Sequence, residues 1–278
     1  MGIELVVLDF DGTLTEVDKE AIPFVNGYKN DVARDLNIDR EELEERWAIA
    51  QLIVESDQSL YGWVVNGDIV APAYADPLIL SKVIASLLLD NAELYVNNHE
   101  RQEALERYFQ GNYERMDIFF KEGVDEFICS LHDEIDICIV TNSETNNVAK
   151  KIKLLKTEHS DVPIYGDAKK YLLNNVWEGV PKTVEREGYG RPLFLRRQKY
   201  WDVLSKIMEQ RNIQPEQVVV VGDIYELDLL LPEHKGMRTV LTPRESTPRF
   251  EIDAAKFSTV GHVAWTLGEV LEYLKSQR

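Results

Sequence analysis

Three short apolar runs constrain this chain most, because each ends at a turn built from polar residues. Ile3–Leu8 leads directly into Asp9-Phe10-Asp11-Gly12-Thr13. Ile135–Val140 ends in Thr141-Asn142-Ser143. Val218–Val221 ends in Gly222-Asp223, with Asp228 following in the same stretch. Runs of this length, bounded by turn residues, predict buried strands. Gly12 lets the chain turn sharply past the first of them. Paired carboxylates at a rigid strand end can serve as nucleophile and acid/base, and both can face a hard cation. Taken alone, the first segment also reads as a strand with an acidic turn. Three such ends, in this order and each behind an apolar strand, do not.

The rest of the chain organises around these ends. From Lys121 onward, predicted helices (Glu122–His132, Glu144–Lys156, Lys199–Arg211, His262–Lys275) alternate with predicted strands (Ile135–Val140, Val162–Gly166, Val218–Val221, Arg238–Leu241). That alternation predicts an α/β fold, a doubly wound parallel sheet with helices on both faces. Ligands in such sheets bind at the carboxyl ends of the strands, where Asp9, Thr141 and Asp223 fall. Residues 16–118 are helical in pattern instead. Ile22–Leu36, Asp39–Val54, Pro77–Leu89 and Glu100–Tyr113 predict a separate bundle inserted after the first strand, with Asp39 as an amino-terminal cap. Ala168–Arg197 is irregular and rich in glycine and proline. It is either a functional loop or a small hairpin on the sheet edge.

These motifs resemble those of the haloacid dehalogenase superfamily, most of whose members are phosphatases. The first motif matches as Asp9-x-Asp11-Gly12-Thr13, the second as Thr141, and the fourth as Gly222-Asp223 with Asp228. The resemblance implies a Rossmann-like catalytic core from residues 1–15 and 119–278, and a helical cap domain from 16–118. It implies that Asp9 is a nucleophile forming an aspartyl-phosphate, and that Asp11 is the acid/base. Mg2+ would be held by Asp9, by the backbone carbonyl of Asp11 and by Asp223. Thr141 and the amide of Asn142 would bind the substrate phosphate. Asp228 would orient the basic residue of the third motif or support the metal shell, and Glu226 competes for that role or is a solvated turn residue. The third motif departs from the family pattern: Leu195-Arg196-Arg197-Gln198-Lys199-Tyr200 has no lysine followed by proline. Spacing allows Lys199 or Arg197, with Lys199 favoured on residue type.

Composition bounds the function. The chain has 278 residues, 44% of them hydrophobic, enough for a sizeable core. A net charge of −18 argues against sequence-independent nucleic-acid binding. It also calls for local countercharge if the substrate is an anion. Arg186, Arg191, Arg196, Arg197 and Lys199 form one basic cluster, either at the mouth of the site or on a solvated surface. No apolar run is long enough to cross a membrane, and no signal peptide is evident at the amino terminus. Cys129 and Cys138 read as buried free thiols, and a cytoplasmic location is expected. The five histidines, His159 among them, show no metal-ligand spacing. The expected activity is therefore that of a Mg2+-dependent phosphatase acting on a small phosphorylated metabolite. A sugar-phosphate mutase is the alternative within enzymes. A haloacid dehalogenase is disfavoured by Asp11, and a catalytically silent binding protein by the intact Asp9, Asp11, Thr141 and Asp223.

Overall fold

The computed structural model describes residues 2–155 and 161–277; Lys156 and His159 lie outside the described residues. The chain divides into two compact units. One is formed by its two ends, up to Glu16 and from Phe120, and the other is Val17–Phe119.

The first unit is built on six parallel strands: β1 (Leu5–Leu8), β2 (Asp136–Val140), β3 (Ile164–Tyr165), β4 (Val218–Gly222), β5 (Arg238–Leu241) and β6 (Gly261–Val263), in the order β6-β5-β4-β1-β2-β3. The outcome is the expected doubly wound sheet. Strand β1 lies at its centre, and successive residues point to opposite faces. Leu5 and Val7 enter one apolar core, together with Val218, Val220 and the helix Gln198–Arg211. Val6 and Leu8 enter the other, with Val219, Val221 and the helices Val124–His132 and Leu267–Ser276. Burial on both faces explains the unbroken apolar runs. The pairing register sets Leu8 beside both Ile139 and Val221. The three polar strand ends therefore emerge at one level of the sheet.

The second unit holds the helices Ile22–Leu36, Arg40–Ser56, Pro77–Asn91 and Asn98–Tyr113 around a core that includes Phe24, Tyr28, Trp47 and Leu89. Asp39 caps its helix as expected, its carboxylate accepting from the Glu42 amide at 2.9 Å. Thr15 pairs with Phe120, so the chain leaves the sheet unit and returns to it along adjacent segments.

Some elements differ from the sequence reading. His262 belongs to strand β6, and the last helix starts only at Leu267. Thr266 caps that helix, its hydroxyl accepting from the Glu269 amide. A β-hairpin, Gly62–Val65 with Asp68–Pro72, lies within the helical unit; Asn66-Gly67, both at positive φ, form its turn. The Ala168–Arg197 segment does contain a two-stranded hairpin, Thr183–Val184 with Leu193–Phe194, but it forms a sheet of its own. Cys138 is buried, and burial pushes its thiol up to about 12. Cys129 is only half-buried, and neither cysteine is disulfide-bonded.

The central strand supplies a direct test. Leu8 is fully buried beneath the polar strand ends. Leu8→Ala should lower the unfolding free energy by about 2–5 kcal/mol, the range for buried leucine truncation. Urea denaturation followed by circular dichroism measures it, and an unchanged midpoint would contradict the packing.

Candidate active site

The strand ends place Asp9, Thr141 and Asp223 at one level of the sheet, and one cation ties Asp9 to Asp228. The Lys170 ammonium donates to Asp9 Oδ1 at 2.6 Å and to Asp228 Oδ1 at 2.8 Å. All three side chains are buried. The same ammonium lies 5.3 Å from the centre of the Tyr200 ring, whose hydroxyl donates to the Asp228 carbonyl at 2.9 Å. Burial opposes the charge on Lys170, but Asp228 and Asp9 overcome it and hold the amine above its ordinary range. Burial raises Asp9 well above an ordinary carboxylate; Lys170 pulls it back, while Asp228 and Asp223 push it further up.

The sequence reading placed Lys199 or Arg197 beside Asp9, and the structure corrects this. Lys199 is exposed. Arg197 is fully buried, but its guanidinium points to the Lys170 carbonyl and to Glu226 rather than to Asp9. Lys199 and Arg197 lie at the head of the helix that precedes β4, whereas Lys170 sits on irregular chain. The signal available was the irregular Ala168–Arg197 stretch itself, which opens with two lysines. The expected basic cluster also has another use. Arg191 and Arg197 pair with Glu226, Arg186 with Glu233, and Arg196 bonds the carbonyls of Val180 and Asn175. Glu226 is completely buried, not a solvated turn residue.

Asp11 occupies different surroundings. It is partly exposed. Its Oδ2 accepts from the Ser143 hydroxyl at 2.6 Å, and its Oδ1 lies 3.3 Å from the Lys151 ammonium. Neither Ser143 nor Lys151 was singled out in the sequence. Thr141 is buried at the end of β2, its hydroxyl accepting from the Ser143 amide. The Asn142 side-chain oxygen accepts from the Lys170 amide at 2.8 Å.

Asp228 lies on a single wide π-helical turn, Tyr225–Leu229. Its Oδ2 accepts from the Ile224 amide at 3.0 Å, closing the turn on itself. Of the two roles expected for it, the geometry matches orienting the basic residue. Gly222 makes room for the turn, since a Cβ there would come within 2.4 Å of the Asp228 Cβ.

Asp9, Asp223 and Asp228 present carboxylate oxygens within 4.8 Å of one another. Asp228 is engaged by Lys170 and its own turn. Asp223 differs, because both of its oxygens are buried and neither accepts a hydrogen bond. Its Oδ2 has Nε of Arg244 at 2.9 Å as an ion pair without hydrogen-bond geometry. Burial raises Asp223 to about 7; Arg244 opposes the rise, and Asp228 adds to it. A buried carboxylate without donors, beside a second one, suits a hard oxygen-seeking dication such as Mg2+ better than zinc. Such an ion would be held by Asp9 and Asp223.

Comparison with known proteins follows the same lines. A family model described as haloacid dehalogenase-like hydrolase matches residues 3–231. Among solved structures, a HAD-hydrolase from Bacillus subtilis, described as putative and bound to magnesium, superposes with a TM-score of 0.57 at 13% identity, covering 99% of each chain. A haloacid dehalogenase-like protein from Agrobacterium tumefaciens gives 0.55 at 16% identity, covering 99% of each chain. A predicted phosphoglycolate phosphatase from Haemophilus somnus gives 0.55 at 15%, covering 98% of this chain and 97% of its own. At such identities the likeness is one of fold. No curated protein matches the chain.

Gly12 tests the metal geometry. Its φ is +83°, and a Cβ there would lie 2.2 Å from Asp223 Oδ2. Gly12→Ala should cost about 1–2 kcal/mol of stability from the left-handed backbone and should weaken Mg2+ binding by displacing Asp223. Calorimetric titration of the folded variant with Mg2+ measures the second effect; wild-type affinity would contradict the proposed ligand set.

Proposed function

The chain belongs to the haloacid dehalogenase-like hydrolases, and within that family we propose that it is a Mg2+-dependent phosphatase acting on a small phosphorylated metabolite. The observation that carries the reading is Asp223, buried beside Asp9 with neither oxygen hydrogen-bonded. A dehalogenase of this superfamily needs no metal and generally lacks an acid/base aspartate at the position of Asp11. The second support is Asp11, an acid/base candidate at the same strand end. By the family pattern, the unit Val17–Phe119 is the proposed cap and source of substrate selectivity.

The chemistry is that of the family pattern, and the positions of the side chains support it. A phosphate monoester is a dianion and repels an attacking carboxylate. Bound Mg2+ supplies the charge neutralisation that lets the two approach. Lys170 also offsets the charge of Asp9, through Oδ1. We assign attack to Oδ2, which among the described residues accepts only a long 3.3 Å bond, from the Thr13 hydroxyl. As the Oδ2–phosphorus bond forms, the bond to the leaving oxygen breaks, and protonated Asp11 gives that oxygen its proton. Thr141 and the Asn142 amide donate to the phosphoryl oxygens. Asp11, now ionised, takes a proton from water. The resulting hydroxide attacks the aspartyl-phosphate, releasing phosphate and restoring Asp9. Ser143 and Lys151 fix the orientation of the Asp11 carboxyl group through Oδ2 and Oδ1.

A panel of phosphorylated metabolites with Mg2+, assayed for free phosphate, tests the reading. Steady release from at least one, abolished by chelation and by Asp9→Asn in a folded protein, is expected. Isomerised sugar phosphate without release would identify a mutase, and activity that survives chelation would overturn the metal assignment.

Asp11→Asn separates the two chemical steps. Loss of proton transfer should cost about 10²–10⁴-fold in steady turnover. An aryl phosphate needs little help in leaving, so rapid-quench kinetics should show a stoichiometric burst followed by slow hydrolysis, with no burst from an alkyl ester. Wild-type rates on both esters would remove Asp11 from the mechanism.

A further inference from the structure

Lys170 is held by no regular structure of its own. It lies on an irregular stretch after β3, between Gly166 and Leu173, and two of its near neighbours, Asp167 (φ 51°) and Lys169 (φ 48°), adopt the left-handed backbone that residues other than glycine avoid. A catalytic cation on such a segment needs anchors from elsewhere. Its ammonium is anchored by Asp9 and Asp228, and its amide by Asn142. Its carbonyl accepts from Nη1 of Arg197 at 2.7 Å.

Arg197 is itself fixed. The fully buried guanidinium donates from Nη2 to Oε1 of Glu226 at 3.2 Å, and Arg191 closes on the same carboxylate with both of its terminal nitrogens. Glu226 lies on the turn that carries Asp228, just beyond Asp223. That turn therefore holds Lys170 at two points, the ammonium through Asp228 and the backbone through Glu226 and Arg197. The planar fork of an arginine bridges a carbonyl and a carboxylate at fixed separation; a lysine does not.

We propose that Arg197, fixed by Glu226 and Arg191, is a positioning residue that holds the backbone of Lys170 so that its ammonium stays on Asp9. The proposal rests on the phosphatase reading for its kinetic consequence, and the experiment separates the two.

Arg197→Gln removes the bridge while leaving the Arg191–Glu226 pair intact, and Arg197→Lys keeps the charge without the fork. Steady-state kinetics of both on an aryl phosphate, in wild-type and Lys170→Met backgrounds, form a double-mutant cycle. Alone, each substitution should lower kcat about 10–100-fold, the cost of a small misplacement of a reacting group, with KM little changed. In the Lys170→Met background neither should cause a further loss, because the residue through which Arg197 acts is gone. Losses that multiply, or wild-type kcat in either folded variant, would overturn the proposal. Unimpaired activity of Lys170→Met and Asp9→Asn would instead overturn the phosphatase reading. Hydrogen exchange over residues 166–173 gives a measure independent of turnover. It should accelerate there in Arg197→Gln and hardly change across β1, β2 and β4, and unchanged exchange would count against the anchoring itself.

Discussion

The structure depends on a single buried ammonium shared between two carboxylates. Lys170 draws together the end of β1, through Asp9, and the turn after β4, through Asp228. Without it, the carboxylates of Asp9, Asp223 and Asp228, within 4.8 Å of one another, would lose the cation that Asp9 and Asp228 share. Removing one partner from such a buried arrangement is far more costly than the pair is stabilising. The cluster therefore favours one arrangement of loops over its neighbours. The strand ends supply direction, and the cation supplies cohesion.

The same reasoning accounts for how a strongly acidic chain can handle an anion. The net charge is −18, yet Lys170 and Arg244 pair with carboxylates of the cluster, and Lys151 pairs with Asp11. Lys121 also sits close enough to Asp223 and Asp9 for their charges to act on its amine. Countercharge is concentrated at the sheet's carboxyl edge, and the charge of the remaining surface matters less at that range because solvent and salt screen it.

Much of this was legible in the sequence, for definable reasons. The unbroken apolar runs of β1, β2 and β4 identify strands buried on both faces, and the residues just after them are fixed by the chain's exit from the sheet. Asp9, Thr141 and Asp223 were therefore readable from position alone. Lys170 was not, because its place depends on contacts from Asn142, Arg197, Asp9 and Asp228, all distant in sequence, on a segment with no periodicity to read. The sequence marks Arg197 as a candidate for the third motif and Glu226 as a competitor for the role of Asp228. Nothing in their spacing signals that they are buried and paired with each other. His262 was assigned to a helix because the strand β6 is too short to show alternation against the helical pattern that follows it.

The placement of β1 also bears on biosynthesis. It is the middle strand of the sheet and the first to leave the ribosome, yet its neighbours are Asp136–Val140 and Val218–Gly222. All of Val17–Phe119 must emerge before the first neighbour can pair with it, and most of the polypeptide before the second. Until then an apolar strand end remains unsatisfied on the nascent chain, the kind of segment that chaperones recognise and aggregation exploits. The sheet's centre is translated first and completed last, and the loop that delivers Lys170 is translated between the arrival of those two partners.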